Sequence, residues 1–183
     1  MSLSNEQQQH VDQILQSHGY ADYRWIDPQK IVVAQWVRMK CLFGCGEYGH
    51  GACCPPNTPS VAECERFFKE YTHALILHFA GRMDQPEDRH AWSAKINARL
   101  SKLERAVFLA GHERVFMLFM DSCNLCKQCT GERRTCEHPR MARPAPEAMA
   151  VDVYTTVRRF GFEINVRTDY DQTMDRFAFL MVG

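Results

Sequence analysis

Residues 123–139 read CNLCKQCTGERRTCEHP, with cysteines at 123, 126, 129 and 136 followed at once by His138-Pro139. A thiolate is a soft metal ligand. A two-residue spacer lets neighbouring thiolates turn toward one centre while backbone amides point at the sulfurs. An unbroken C-x2-C-x2-C run suits a cubane cluster, in which each thiolate takes a different iron, and it shares its first three positions with the bacterial ferredoxin run. Structural zinc usually draws on two separated pairs around one tetrahedral ion, whereas Cys136 returns alone. The spacing therefore favours a 4Fe–4S cluster held by Cys123, Cys126, Cys129 and Cys136, with zinc as the alternative. His138 competes for a ligand place, since a Cys3His zinc site needs one cysteine to stand aside. Otherwise His138-Pro139 shapes the loop exit or hydrogen-bonds a cluster sulfur.

A second group lies upstream in CLFGCGEYGHGACCPP, residues 41–56. Cys41, Cys45 and Cys54 make a three-thiolate set, with Cys53, His50 or an external ligand as the fourth. The glycines allow a tight wrap, and the prolyl pair after Cys54 fixes the chain direction. A centre with one non-protein position can act on a substrate as a Lewis acid, while a fully ligated one mostly stores or passes electrons. Two readings stay open: a separate second site here, or convergence of all these cysteines on one metal or cluster.

Cys64 stands alone on the apolar seam of a helical pattern and reads as a buried core thiol. His73 and His78 read as structural. His10, His18, His90 and His112 have no constellation around them. Between Lys127 and Arg143 lie Lys127, Arg133, Arg134, Arg140 and Arg143 against Glu132 and Glu137. That basic run can steer an acidic redox partner, offset thiolate charge, or serve as solvated loop charge.

Composition narrows the rest. The chain has 183 residues with Lys+Arg and Asp+Glu both at 22. That balance, with no aromatic-basic module, argues against nucleic acid. The N-terminus is polar and lacks the apolar core of a signal peptide. The longest apolar stretches, such as Val115–Met120, are far too short to cross a bilayer. The expectation is a cytoplasmic protein with no membrane role, folding as one domain over 1–183. Nine cysteines in a compartment that keeps thiols reduced point to metal or cluster ligation rather than to disulfides.

The elements that must carry the cysteines follow from periodicity. KIVVAQWVRMK (30–40) has strand composition and leads into the first cysteine loop. TPSVAECERFFKEY is an amphipathic helix with Thr58 or Ser60 as N-cap. HALILHFAG (73–81) is a buried strand. RHAWSAKINARLSKLERAVFLAG (89–111) is a helix with the stripe Trp92, Ile96, Leu100, Leu103 and Val107. RVFMLFM (114–120) is a strand entering the second cysteine loop, and PEAMAVDVYTTVRRF (146–160) is a helix. FEINV and RFAFLMV are two final strands across the turn RTDYDQTMD. The fold class is thus α/β or α+β: one sheet of about five strands layered with three main helices. Both cysteine loops leave strand ends, where they can meet in space.

The combination C-x3-C-x2-Y … CCPP with C-x2-C-x2-C-x6-C-x-HP-x-MARPAPEAMAVDVYTT resembles a prokaryotic family of uncharacterised predicted metal-binding proteins. The similarity runs from the strand before Cys41 to the C-terminus. It implies metal ligation by Cys41, Cys45, Cys54, Cys123, Cys126, Cys129 and Cys136, and names no reaction. Cys53, beside the CPP cysteine, and the x3 spacing of the first pair depart from the family pattern. Glu147 falls within the matched motif, either as a proton donor or acceptor near the cluster or as a carboxylate stabilising a first helical turn. The leading expectation is an iron–sulfur protein, with one or two 4Fe–4S clusters, that carries electrons or presents a cluster to a redox partner protein. The alternatives are a metalloenzyme with an open site at the first group and a structural zinc protein. Oligomeric state is not legible.

Overall fold

The computed structural model describes all residues except 1, 2, 84, 86, 87, 170 and 171. Four strands form one antiparallel sheet in the order β1-β2-β4-β3. They are β1 (Tyr23–Ile26), β2 (Ala74–Gly81), β3 (Phe116–Leu118) and β4 (Met174–Met181). Five α-helices accompany them: α1 (Asn5–Ser17), α2 (Gln35–Gly44), α3 (Val61–Lys69), α4 (Asp88–Leu109) and α5 (Val153–Arg159).

The sheet is buried on both faces where its strands run apolar, over Ala74–Leu77, Phe116–Leu118 and Phe177–Met181, because side chains alternate between the faces. Leu75 and Leu77 of β2, Met117 of β3 and Leu180 of β4 pack with Val11 and Leu15 of α1 and with Ile96, Leu100, Leu103 and Val107 of α4. On the other face Ile76, Leu118, Phe177 and Phe179 pack with Cys64 and Phe68 of α3 and with Val153 and Val157 of α5. Cys64 is fully buried in that second layer, a core thiol as its helical position implied.

The helix starts are chemically specified. Ser60 and Glu63 form a capping box on α3, as Ser4 and Gln7 do on α1, and Asp152 caps α5 by accepting from Thr155 N at 3.0 Å. Such caps contribute about 1 kcal/mol each.

Several expectations are corrected. Among the described residues the sheet has four strands rather than about five, because 30–40 and 162–166 are not strands while β1 is an unanticipated one. The α-helices number five rather than three, because α1 and α2 were not anticipated. Residues 35–44, read as part of a strand, form α2; only Val33 keeps a β-bridge, to Val151. Gln35, Arg38, Met39, Lys40 and Leu42 are good helix formers, and one turn of helix separates Val37, Cys41 and Cys45. The helix buries Val37 and leaves Trp36, Met39, Leu42 and Phe43 exposed. A strand reading followed that apolar content to the wrong period. The first cysteine group therefore begins on a helix and does not leave a strand end.

FEINV (162–166) is irregular although Phe162 and Ile164 are buried. The helix expected over 146–160 is split into a 3-10 turn, Glu147–Met149, and α5. Ala150 at φ 59° breaks it, and the extended Val151 carries the bridge to Val33. The turn expected over 167–175 includes Tyr170 and Asp171, which lie outside the described residues.

Candidate metal centre

The second cysteine loop starts just past β3 and is latched to α4. Asn97, fully buried in α4, donates through Nδ2 to the carbonyls of Met120 (3.1 Å), Ser122 (2.8 Å) and Cys123 (3.3 Å). One turn earlier, Ser93 Oγ accepts from Asn124 Nδ2 at 2.7 Å, and Asn124 itself holds φ 49°. The loop exit is tied to the same helix. Arg143 Nε donates to the buried carboxylate of Glu104 at 2.9 Å, and Glu104 also accepts from Met117 N at 3.0 Å. A buried charge satisfied in this way fixes both ends of the loop against one rigid element.

The first group begins on α2, with Cys41 in the helix and Cys45 at its C-cap. Arg38 anchors that helix by donating to the carbonyls of Pro59 (3.1 Å) and Ala148 (3.0 Å). The backbone beyond Cys45 folds back on itself: Gly49 N donates to Pro55 O at 2.9 Å and Cys54 N to Gly51 O at 3.0 Å. Gly51 is required here, since a Cβ at that position would lie 2.9 Å from Cys54 Sγ.

The two loops are joined directly. Asn57 Nδ2 donates to Gly51 O (3.2 Å) and to Gly131 O (2.7 Å), one acceptor in each loop. Ala52 N donates to Cys129 Sγ at 3.3 Å. Arg133 NH1 lies 3.9 Å from Cys53 Sγ. Ala34 N donates to Ala150 O and Asp152 N to Val32 O, so the segment after the second loop runs beside the entry to α2.

The result is a cavity of about 50 Å³ whose lining includes the six thiols of Cys53, Cys54, Cys123, Cys126, Cys129 and Cys136. Backbone N–H groups point at its sulfurs. Cys123 accepts from the amides of Leu125 and Arg143, and Cys129 from that of Ala52. Cys53 and Cys123 share a hydrogen bond between their sulfurs. That bond is the main reason the Cys123 thiol is shifted down and the Cys53 thiol up; burial and the repulsion between the two charges add to the rise at Cys53. The pair thus carries one proton readily and gives up the second with difficulty.

A second cavity, of about 210 Å³, adjoins the first and shares Cys54, Glu47 and Ser122 with it. Cys41, Cys45, Cys54 and Glu147 line it. Burial raises the Cys54 thiol to about 12, and the neighbouring Cys45, Glu47 and Cys41 act in the same direction. Cys41 is raised by burial and by Cys45, with Arg38 opposing. Negative charge at Cys41 and Cys54, whose thiols resist ionising, is offset most directly by a cation bound between them. Desolvation by the surrounding protein pushes the Glu147 carboxyl up to about 7. Its side chain opens onto the cavity, and solvent there works against part of that rise.

The donor set fits a metal. It is rich in soft sulfur, aimed at shared space, supplied with amide donors and ringed by rigid elements. A model of the family described as "Predicted metal-binding protein (DUF2284)" matches residues 24–182. The chain belongs to that family. No match was found among curated proteins or among solved structures. The family match spans both cysteine loops and all of the sheet but Tyr23, leaving outside it α1, the turn after it and Gly183.

Within this DUF2284 chain the candidate residues divide. Cys123, Cys126, Cys129 and Cys136 line the first cavity, and Cys41 and Cys45 the second, with Cys54 on the wall between them. Cys53, considered as a fourth member of the upstream set, instead faces Cys123 across the first cavity. Its chain neighbour Cys54 lines both cavities, so the vicinal pair links the two spaces. His50, the other considered fourth member, lines neither cavity.

Glu147 stands beside the Cys41 and Cys45 thiols because Ala150 ends its turn early. Glu137 was not anticipated at all. Cys126, Glu137 and His138 bring one ligand atom each to within 4.8 Å of one another. The signal for Glu137 is its place between Cys136 and His138, which a count of cysteines alone passes over. Of the basic run, Arg133 and Arg143 are engaged inside the site, while Lys127, Arg134 and Arg140 are exposed.

No helix of the described residues is long and apolar enough to cross a membrane. His78 has a structural setting, with Nδ1 2.6 Å from Asp22 and Nε2 2.9 Å from Asp175.

Proposed function

We propose that this metal-binding family member is an iron–sulfur protein. A 4Fe–4S cluster would be held by Cys123, Cys126, Cys129 and Cys136, and a second metal or cluster by Cys41, Cys45 and Cys54. The observation that carries the reading is the six-thiol cavity with backbone amides aimed at its sulfurs. When bound, such a cluster supplies one-electron redox chemistry.

The chain's own residues do the rest. Leu125, Arg143 and Ala52 direct N–H dipoles at thiolate sulfur, which stabilises negative charge there. Asn97 and Glu104 hold the loop to α4, so the ligands need little rearrangement to bind. Spacing supports iron–sulfur over a single zinc ion. Tetrahedral zinc draws thiolates to about 3.8 Å from one another, given Zn–S bonds near 2.3 Å. Among the described residues the metal-sized trio within 4.8 Å is the mixed one, Cys126, Glu137 and His138. The thiolate set is spread around a wider space than one ion fills.

Lys127, Arg134 and Arg140 on the rim suit an acidic redox partner protein, to which the cluster passes electrons or is presented. EPR of anaerobically isolated, dithionite-reduced protein tests the proposal. The expected result is a low-temperature signal of a reduced cubane that accompanies bleaching of visible absorbance. A colourless, EPR-silent protein carrying stoichiometric zinc would overturn it.

A second reading is a metalloenzyme working in the larger cavity. It is favoured by one arrangement: three thiols, Cys41, Cys45 and Cys54, share that space with the Glu147 carboxyl. Three protein ligands leave a position for substrate, and a carboxyl raised toward neutrality can transfer a proton there. Perturbation of one centre's spectrum by cyanide or a small thiol would support this reading. Full protein ligation of both centres in a holo crystal structure would contradict it.

A further inference from the structure

Among the described residues one compact group of mixed ligands stands out, and two of its members, Cys126 and His138, line the first cavity. Cys126 Sγ, a Glu137 carboxylate oxygen and a His138 ring nitrogen all lie within 4.8 Å of one another. Cys126 is half-buried and the other two are exposed. The edges of a tetrahedral zinc site are about 3.3–3.8 Å, from bonds of about 2.0–2.3 Å. Closing the group on an ion therefore needs side-chain movements of roughly 1 Å.

The backbone beneath the pair is fixed. His138 O accepts from Met141 N (3.0 Å) and Ala142 N (2.9 Å), and Pro139 O accepts from Arg133. The Glu137 and His138 side chains make no hydrogen bond or ion pair with other described residues. Two adjacent residues whose chain is held at His138 and Pro139 and whose ligand atoms converge on a thiol form a built site rather than a solvated pair.

We infer that in cluster-free protein Cys126, Glu137 and His138 form a mononuclear site for a borderline divalent cation of the zinc class, which shares Cys126 with the thiolate centre and so competes with a cluster for it. Sulfur, imidazole and carboxylate together match zinc and cobalt(II). They match neither the hard magnesium and calcium ions nor an all-thiolate cluster. Three protein ligands leave the fourth tetrahedral place to water or an incoming ligand.

The thiol count allows it. With Cys126 withdrawn, the first cavity still has Cys53, Cys123, Cys129 and Cys136 on its wall, and Cys53 is the residue that departs from the family spacing. In cluster-free protein the three-residue site is the better preformed of the two. It captures a divalent ion before the wider thiolate set closes on anything.

The test uses reduced, metal-free full-length protein, handled anaerobically and titrated with cobalt(II) as the spectroscopic stand-in for zinc. It is read without iron or sulfide, so its outcome is independent of whether a cluster forms. The first equivalent of cobalt is expected to give tetrahedral d–d bands with the charge-transfer intensity of a single thiolate. H138A and E137Q should each weaken binding of that equivalent by more than about tenfold. C126S should remove the charge-transfer band, and E132Q, at an exposed carboxylate of the same loop, should change nothing. Unchanged far-UV circular dichroism verifies that the variants fold. Charge-transfer intensity of three or four thiolates in the first equivalent, affinity indifferent to H138A and E137Q, or no cobalt binding at all would overturn the inference.

Discussion

Cys53 and Cys123, one from each cysteine loop, share a hydrogen bond between their sulfurs across the candidate metal cavity. Cys54, the next residue after Cys53, lines the neighbouring cavity with Cys41 and Cys45. Two adjacent thiols thus link what the linear sequence presents as separate groups.

That pair predicts an unusual reactivity. In metal-free protein one thiol of the two ionises below the ordinary thiol range, because the other S–H stabilises its thiolate. Alkylation at 123 should therefore stay fast at a pH where ordinary thiols are protonated. C53A removes the donor and should slow it several-fold at neutral pH, as read by mass spectrometry across a pH series. Equal rates in wild type and C53A would show that the hydrogen bond does not set the reactivity.

Gly51→Ala tests the turn that carries both thiols. The added methyl would meet Cys54 Sγ at 2.9 Å, and overpacking of this kind costs about 1–3 kcal/mol. Because the strain falls on a loop, the melting temperature should drop by a few degrees while metal at the first group is lost disproportionately. Metal analysis beside a thermal melt distinguishes the two effects. Full metal retention would mean that Cys54 is not a ligand.

Asn97→Ala should loosen the second loop from behind. It leaves the buried carbonyls of Met120, Ser122 and Cys123 without their shared donor, which costs about 1–3 kcal/mol. Chemical denaturation measures that loss, and faster alkylation at 123, 126 and 129 would locate it in the loop. A destabilised protein with unchanged thiol protection would restrict Asn97 to holding α4.

Much of this support was legible beforehand. The α4 stripe, the buried β2 run and the Ser60 cap all follow from local patterning, because in those segments burial and propensity point the same way. The cysteine loops were visible as candidate metal-binding segments by spacing alone. What failed did so where tertiary contacts decide. Residues 35–44 present their large apolar side chains to solvent, so apolar content named the wrong element. The C-x3-C spacing, one helical turn, was the better guide. The break at Ala150 rests on a left-handed residue with no glycine to announce it, and it is what turns Glu147 toward the Cys41 and Cys45 thiols. That Cys53 lines one cavity and Cys54 both depends on how two distant loops dock, which no local pattern carries.

Glu147 gives a pH signature in the metal-free protein. Its carboxyl is raised in the fold from 4.5 toward about 7, with cavity solvent holding back part of the rise, so the folded state holds the proton more tightly than the unfolded chain. The resulting stabilisation is fully present below about pH 4.5, declines between about pH 4.5 and 7, and is absent above that. E147Q cannot titrate, so its stability should decline less than that of wild type across this window. Guanidinium unfolding at several pH values measures the difference. Parallel profiles for the two proteins would show that Glu147 is not desolvated as described.

The account rests most on the claim that the thiols of the first cavity hold an iron–sulfur cluster. The direct measurement is iron and acid-labile sulfide per chain in anaerobically isolated protein, for wild type and for a C123S/C129S variant. The account predicts iron and sulfide in equal amounts in wild type, both sharply reduced in the variant while the far-UV circular dichroism of the sheet and helices persists. Stoichiometric zinc without sulfide in wild type, or iron and sulfide undiminished in the variant, would contradict it.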